Sequence, residues 1–217
     1  MKKIITFLFF TLLVVASNAQ FSKGTILLGG DLFANSYHSK DGANEYKTSG
    51  FGLSPVFAVA IKDNRFFGVS LSYGHSKNDQ PSPYPNQKAD YYGASIFYRS
   101  YKPVLKKLNA FVQSGIQVNH GKTKVTQGTD YYYTDKNFSA SLNVTPGISL
   151  AVSKKLFLET GLNNIVSLGY QHTKTTGNNP TGIIDRSSNG FNISSSLGGI
   201  TNNLYFGFRF FIPKNSG

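Results

Sequence analysis

The segment from Phe51 to Ile61 constrains this chain most. Odd positions (Phe51, Leu53, Pro55, Phe57, Val59, Ile61) are bulky and apolar, even positions are mostly small, and none is charged. A repeat of two is that of a β-strand with one bulky face and one lean one. The stretch 138–152 repeats it. Phe138, Ala140, Leu142, Val144, Pro146, Ile148, Leu150 and Val152 fall on one side, and Ser139, Ser141, Asn143, Thr145, Gly147, Ser149 and Ala151 on the other. Phe67, Val69, Leu71 and Tyr73 continue the pattern, as do Leu204, Phe206, Phe208, Phe210 and Ile212.

The lean face decides between two kinds of barrel. In a soluble calyx the bulky face points inward and the other face, meeting water, carries Lys and Glu. Here that face is Gly, Ser, Asn, Thr and Ala. Small uncharged polar side chains suit the crowded lumen of a narrow barrel whose bulky face meets hydrocarbon. Closure is then obligatory, because an open sheet edge in lipid leaves backbone groups unpaired at several kcal/mol each.

Eight strands are expected, near 25–34, 51–61, 66–76, 91–101, 109–120, 138–152, 156–171 and 191–212. Their connections alternate: 35–50, 77–90, 121–137 and 172–190 are long, and 62–65, 102–108 and 153–155 are short. That alternation predicts an all-β, transmembrane, eight-stranded antiparallel up-and-down β-barrel, with tight turns and both termini on the periplasmic side and long loops outside. Pro55 and Pro146 each remove a ladder donor, which predicts a bulge or lost bond near a strand end. The bulky set also slips from odd (Phe191, Ile193, Leu197) to even (Leu204, Phe206), predicting a break or bulge between them.

The amino terminus sets the compartment. Lys2 and Lys3 precede an apolar run from Ile4 to Val15, and Ser17-Asn18-Ala19 provides small residues before a cut. This order predicts a secretory signal over 1–19, cleaved after Ala19, and a barrel domain over 20–217. The apolar run is well short of the roughly 20 residues of a spanning helix. The chain has no cysteine, hence no disulfide framework and no lipid-attachment cysteine. Phe 18, Tyr 13 and Gly 22 against one Met and no Trp favour strands and tight turns. Without Lys2 and Lys3 there are 20 basic and 10 acidic residues, a net charge of +10. Export argues against nucleic acid as the partner, leaving anionic lipid head groups.

Several segments together resemble the small outer-membrane β-barrel superfamily of the OmpA and OmpX kind, including its uncharacterised outer-membrane barrel members. They are Lys23-Gly24-Thr25-Ile26-Leu27-Leu28-Gly29-Gly30, Leu53-Ser54-Pro55 before Lys62-Asp63-Asn64-Arg65, Tyr98-Arg99-Ser100-Tyr101, and Tyr205-Phe206-Gly207-Phe208-Arg209-Phe210-Phe211. The resemblance implies an outer-membrane location, contact with lipopolysaccharide, and recognition of a terminal aromatic by the barrel-assembly machinery. The chain continues beyond Phe211 to Gly217, so that signal would be internal, at Phe210 or Phe211.

Within the predicted strands the only charges are Asp31, Arg99, Glu159 and Arg209. Buried charges need partners. Arg99, Glu159 and Arg209 share the lean face near the short turns and are expected to meet there. Glu159–Arg209 is expected to be the strongest pair, with Arg99 reaching across the lumen and Asp31 higher. Two readings stand: a structural plug, and a gate that swaps partners to open a narrow porin-like channel. A lipid A-modifying enzyme would need a Ser, a His and an acid on one patch. His38, His75, His120 and His172 lie at outer strand ends with no such constellation evident, so no catalytic, metal or cofactor site is expected. Tyr131, Tyr132 and Tyr133, Pro81-Ser82-Pro83-Tyr84-Pro85 and Asn178-Asn179-Pro180 are read as outer loops, either an interfacial girdle or a surface that binds a ligand or host protein. Lysines 40, 47, 77, 88, 122, 124, 136 and 174 are placed to meet lipopolysaccharide phosphates.

Overall fold

The structure, a computed structural model, describes residues 21–41, 44–81, 84–127, 131–162, 164–179, 182–195 and 204–214. The expected signal segment and the expected slip between Leu197 and Leu204 lie outside them. Ten strand segments follow in chain order: β1 Ile26–Asp41, β2 Asn44–Lys62, β3 Arg65–Asp79, β4 Asn86–Leu105, β5 Leu108–Gln127, β6 Tyr131–Ala151, β7 Leu156–Leu162, β8 Val166–Asn179, β9 Gly182–Ser195 and β10 Leu204–Ile212. They make eight staves, because β7 and β8 lie end to end against β6, and β9 and β10 pair with β8 and β7 in turn. All neighbours are antiparallel, and the ladder from Ile26↔Ile212 to Leu32↔Phe206 joins the last stave to the first. The fold is a closed eight-stranded β-barrel.

The faces are disposed as a membrane barrel requires. Leu53, Phe57 and Ile61 point outward at 46 % exposure each, while Val56, Ala58 and Ala60 point inward at 7 %, 0 % and 2 %. Phe67, Leu71, Ile96, Ile116, Leu142, Leu158 and Phe206 extend the outward apolar band around the wall. An apolar surface this continuous is incompatible with water on all sides. The hydrophobic thickness of a bilayer, which a tilted strand crosses in about 9–11 residues, covers it.

The strands run further than hydropathy indicates. β1 and β2 stay paired to Asp41↔Asn44, β3 and β4 to Asn78↔Gln87, and β5 and β6 to Gln127↔Tyr131. The segments read as long loops are therefore mostly hairpin arms, and Tyr131, Tyr132 and Tyr133 sit at the start of strand β6 rather than in a loop. Beyond the bilayer no lipid demands apolar side chains, yet Thr, Tyr and Val still favour the extended backbone. Charges absent from the shorter predicted strands, such as Lys77, Lys88, Lys122 and Lys136, lie on these arms.

Both prolines mark places where a ladder fails. β2 pairs with β3 at Leu53↔Tyr73 and resumes at Val56↔Ser70 in the same register, so Ser54 and Pro55 lose their partners without a bulge. Pro55 is mid-strand, not near an end as expected, and its other side still faces Gly30. At Pro146 the β6 edge changes partner: Gly147 faces Gly161, whereas Val144 faces Val166. Two extra residues are accommodated there, and Asn164 takes a positive φ of 52°. An even insertion keeps side-chain parity, so Leu158 and Leu168 both face outward.

Closure is not uniform along the axis. Among the described residues, the upper part of β1 above Leu32↔Phe206 pairs only with β2, and β9 pairs only with β8. Both strands are exposed on both faces over most of this length. On the outward side of β9, Phe191 and Ile193 reach 85 % and 81 % exposure. Among the described residues, the wall thus has a seam between β1 and β9 at the hairpin end.

Candidate functional site

At the turn end the lumen is filled by aromatic rings. Phe66, Tyr101, Phe157 and Phe211 point inward from β3, β4, β7 and β10, and Phe21 enters from below, before the first strand. Phe21 stacks on Phe211 at 4.0 Å between centroids and meets Phe66, Tyr101 and Phe157 edge-on at 5.2–5.7 Å. The backbone around it is fastened to the β2–β3 turn. Phe21 N donates to Asn64 Oδ1 at 3.0 Å, Asn64 N donates to the Phe21 carbonyl at 2.8 Å, and Lys23 N donates to Asp63 Oδ1 at 2.9 Å. Asn64 adopts φ = 58°, a left-handed conformation that Asn tolerates better than most residues.

Directly above the rings lies a neutral cluster of two guanidiniums and two carboxylates. Arg99 Nη1 reaches Glu159 Oε2 across the lumen at 2.7 Å. Arg209 Nη2 holds Asp31 Oδ1 at 2.6 Å, and its Nε stands 3.1 Å from Glu159 Oε2. The Tyr101 hydroxyl donates to Glu159 Oε1 at 2.6 Å and accepts from Arg99 at 3.0 Å. Gln113 Oε1 accepts from Arg99 Nε and Nη2, and the Gly30 and Phe208 carbonyls accept from Arg209 Nη1. Phe111 lies 4.7 Å below the Arg99 guanidinium carbon, a cation–π contact. Side chains of Arg99, Glu159 and Arg209 are at most 3 % exposed, so each charge depends on these partners.

The structure therefore brings Asp31, Arg99, Glu159 and Arg209 together, but in a different pairing order from the sequence expectation. Glu159 bonds most directly to Arg99, and Arg209 to Asp31. The reason is register: Asp31 lies opposite Gly207 on the neighbouring stave, two residues from Arg209 on the same inward face. The Phe21 aromatic stopper was not anticipated. Its trace is legible in Phe66-Phe67 and Phe210-Phe211, where consecutive large rings must serve both faces at once.

Above the cluster the lumen widens into a vestibule of about 380 Å³. Ser54, Ser70, Ser72, Ser95, Gln113, Gln117, Asn143 and Thr145 line it, with Tyr91, Phe97 and Tyr205. Its polar groups are partly knitted together: Ser70 Oγ is 2.7 Å from Ser95 Oγ, and Asn143 Nδ2 donates to Gln117 Oε1 at 3.2 Å. Large rings sit against glycines here; a Cβ added at Gly74 would run into the Tyr91 ring.

The outer wall carries its own arrangement. Phe51, Tyr73 and Tyr92 form an outward girdle, with centroids 5.9 Å and 5.3 Å apart. His75 and Asp90 hydrogen-bond at 2.7 Å beside it. Higher on the arms, Lys77, Lys88 and Lys124 stand directly opposite one another across β3, β4 and β5. Lys122, Lys136 and Lys174 do the same across β5, β6 and β8. Tyr132 is exposed at 52 % on the same outward parity.

Fold and lumen together define the class: a small membrane-spanning β-barrel whose lumen is stoppered at the turn end. No protein-family model and no curated protein matches the chain. Among solved structures it is similar to Neisserial surface protein A, at 18% identity over 86% of this chain and 96% of that one, with a TM-score of 0.39. It is also similar to a major outer membrane protein from Thermus thermophilus, at 12% identity over 87% and 99% with a TM-score of 0.44. A third is the outer membrane protein AlkL, at 10% identity over 94% and 97% with a TM-score of 0.39.

Proposed function

We propose that the chain is an integral outer-membrane barrel with a structural and surface-interaction role in the cell envelope, and not a channel. The observation that carries this reading is the double closure of the lumen. A ring of aromatic side chains centred on Phe21 lies beneath a charge cluster that ties opposite walls through Arg99 and Glu159. A path for ions would have to break both layers. An eight-stranded barrel leaves an interior just wide enough for side chains. The role assigned here includes no catalytic step.

The lysine rows support the membrane side of the reading. Like charges placed directly opposite on neighbouring strands repel; Asp79 pairs with Lys77 and Asp185 with Lys174, and the other lysines of the two rows, Lys88, Lys124, Lys122 and Lys136, call for a further anionic partner. Phosphates of lipopolysaccharide in the outer leaflet, one step above the aromatic girdle, supply it. Tyr132 and its neighbours at the hairpin end are then available to a surface ligand or host protein.

The test is planar-bilayer recording of the purified, refolded protein, alongside Glu159→Ala. The wild type is expected to be electrically silent. Steady unitary conductance from the wild type would overturn the sealed-lumen reading in favour of a narrow transport channel.

A further inference from the structure

Charge is divided unevenly between the two ends of the barrel. The lumenal cluster is neutral, and the segments 35–50, 77–90, 121–137 and 172–190 toward the hairpin end carry nine basic and seven acidic residues. At the turn end, among the described residues, Lys23, Lys62, Arg65, Lys102, Lys106, Lys107, Lys154, Lys155 and Lys214 stand against the single acid Asp63. Nine bases against one acid put +8 on this rim, out of the +10 that remains without Lys2 and Lys3. All nine are exposed, and none forms an ion pair among the described residues. Asp63 is engaged by the backbone N of Lys23.

The nine surround the rim. Lys23 and Lys214 flank the start of β1 and the end of β10, Lys62 and Arg65 the β2–β3 turn, Lys102, Lys106 and Lys107 the β4–β5 turn, and Lys154 and Lys155 the β6–β7 turn. These four junctions follow one another round the closed sheet. A globular acidic partner touches a barrel on one side, whereas a lipid leaflet touches it on every side at one depth. The wall sets that depth. Ile61, Val152 and Ile212, outward and 44–55 % exposed, close the apolar band within two residues of Lys62, Lys154 and Lys214. At about 3.3 Å per residue, with stems that snorkel, the ammonium groups lie in the head-group layer. In the lumen, where the partners are fixed carboxylates, both cations are arginine, but on the rim eight of the nine are lysine. A compact ammonium on a flexible stem suits phosphates that move and exchange, and a planar guanidinium suits a partner held in place.

We propose that this rim binds the phosphates of anionic phospholipids in the inner leaflet, gathering them into a shell around the base of the barrel. The proposal rests on an outer-membrane barrel with its hairpins outside. It concerns the opposite end from the lysine rows, and a conducting lumen would leave it untouched.

The experiment is electron spin resonance of the refolded protein in phosphatidylcholine bilayers carrying trace spin-labelled phosphatidylglycerol or spin-labelled phosphatidylcholine. The motionally restricted fraction reports the lipid held at the barrel wall. Phosphatidylglycerol is expected to be preferred about fivefold at low salt, the factor that one basic residue near an anionic surface supplies. The preference should fade as salt rises toward 1 M, where the screening length is about 3 Å. Lys106→Gln/Lys107→Gln/Lys154→Gln/Lys155→Gln should lower it to less than about twofold, whereas the same four changes to arginine should keep it. The heat-modifiable gel shift, read in parallel, shows that both variants fold. Equal restriction of the two lipids by the wild type at low salt would overturn the proposal and leave the rim to an acidic protein. An unchanged preference in the glutamine variant would also overturn it, placing the bound anion at the hairpin end.

Discussion

The Arg99 guanidinium on β4 and the Glu159 carboxylate on β7 meet across the lumen at 2.7 Å, with two staves of wall between them on the shorter way round. Glu159 is also the common partner of Arg209 and of the Tyr101 hydroxyl. Neutralising it leaves two buried guanidiniums facing one remaining carboxylate, Asp31. Glu159→Gln is expected to destabilise the barrel by about 3–5 kcal/mol, the range for breaking a buried ion pair from one side. Urea unfolding in lipid vesicles, followed by the heat-modifiable gel shift, checks this. The double variant Arg99→Met/Glu159→Gln should lose less than the two single losses added together, because it removes the stranded charge as well as its partner.

Phe21 joins the turn end of the barrel to a segment outside the sheet. It stacks on Phe211 and touches three further rings. Phe21→Ala opens a cavity among side chains that the sheet holds in place, so little collapse is available to refill it. The expected loss is about 3–5 kcal/mol, measured by the same unfolding assay. A loss under 1 kcal/mol would mean that the ring does not occupy the base of the barrel in the membrane.

Gly74 lies beneath the Tyr91 ring, and the three atoms nearest a Cβ built there all belong to the Tyr91 side chain. Gly74→Ala should therefore cost about 1–3 kcal/mol through overpacking. Adding Tyr91→Ala removes the obstacle, so the pair should show a coupling energy of the same order and opposite sign. Additive losses in the double-mutant cycle would exclude this contact as the cause.

How much of this was legible beforehand depends on what each residue had to satisfy. Strand faces were readable because lipid and lumen impose opposite demands every second residue, as at Phe57 and Ala58. Strand ends were not, since above the bilayer the arms are held by backbone pairing and β-favouring side chains, and hydropathy falls silent at Asn35 although β1 continues to Asp41. The four lumenal charges stood out as exceptions to an uncharged face. Their pairing required the register, which sets Gly207 opposite Asp31 and cannot be derived from either strand alone. The seam was invisible for the same reason: Phe191 and Ile193 alternate as on any wall strand, and that β9 pairs only with β8 among the described residues follows from the register alone.

The lysine rows predict effects of opposite sign in two lipids. Lys88 stands between Lys77 and Lys124, and Lys136 between Lys122 and Lys174. In neutral phosphatidylcholine, Lys88→Gln/Lys136→Gln relieves like-charge opposition and should stabilise the barrel by about 0.2–1 kcal/mol for each relieved pair. In bilayers containing lipopolysaccharide the same variant should be less stable than the wild type. That difference should shrink as salt rises toward 1 M, where the screening length falls to about 3 Å. Stabilisation in both lipids would show that the rows do not hold phosphate.

At the tip of the first hairpin, Glu45 accepts from Lys47 at 3.1 Å and lies 2.7 Å from His38 Nε2. Lys47 first, then His38, hold its carboxyl below the usual carboxylate range. A folded pKa lower than the unfolded one means that the contacts favour the hairpin above the unfolded value. They are lost as pH falls through the folded value. Glu45 is exposed, so the expected readout is local. Carboxyl NMR should show Glu45 titrating below the usual glutamate range, and Lys47→Met should move it back up. The global unfolding midpoint should stay unchanged across the same pH range, while the His38 ring resonances follow the Glu45 titration. A Glu45 carboxyl that titrates normally in the wild type would remove the pairing from the hairpin tip.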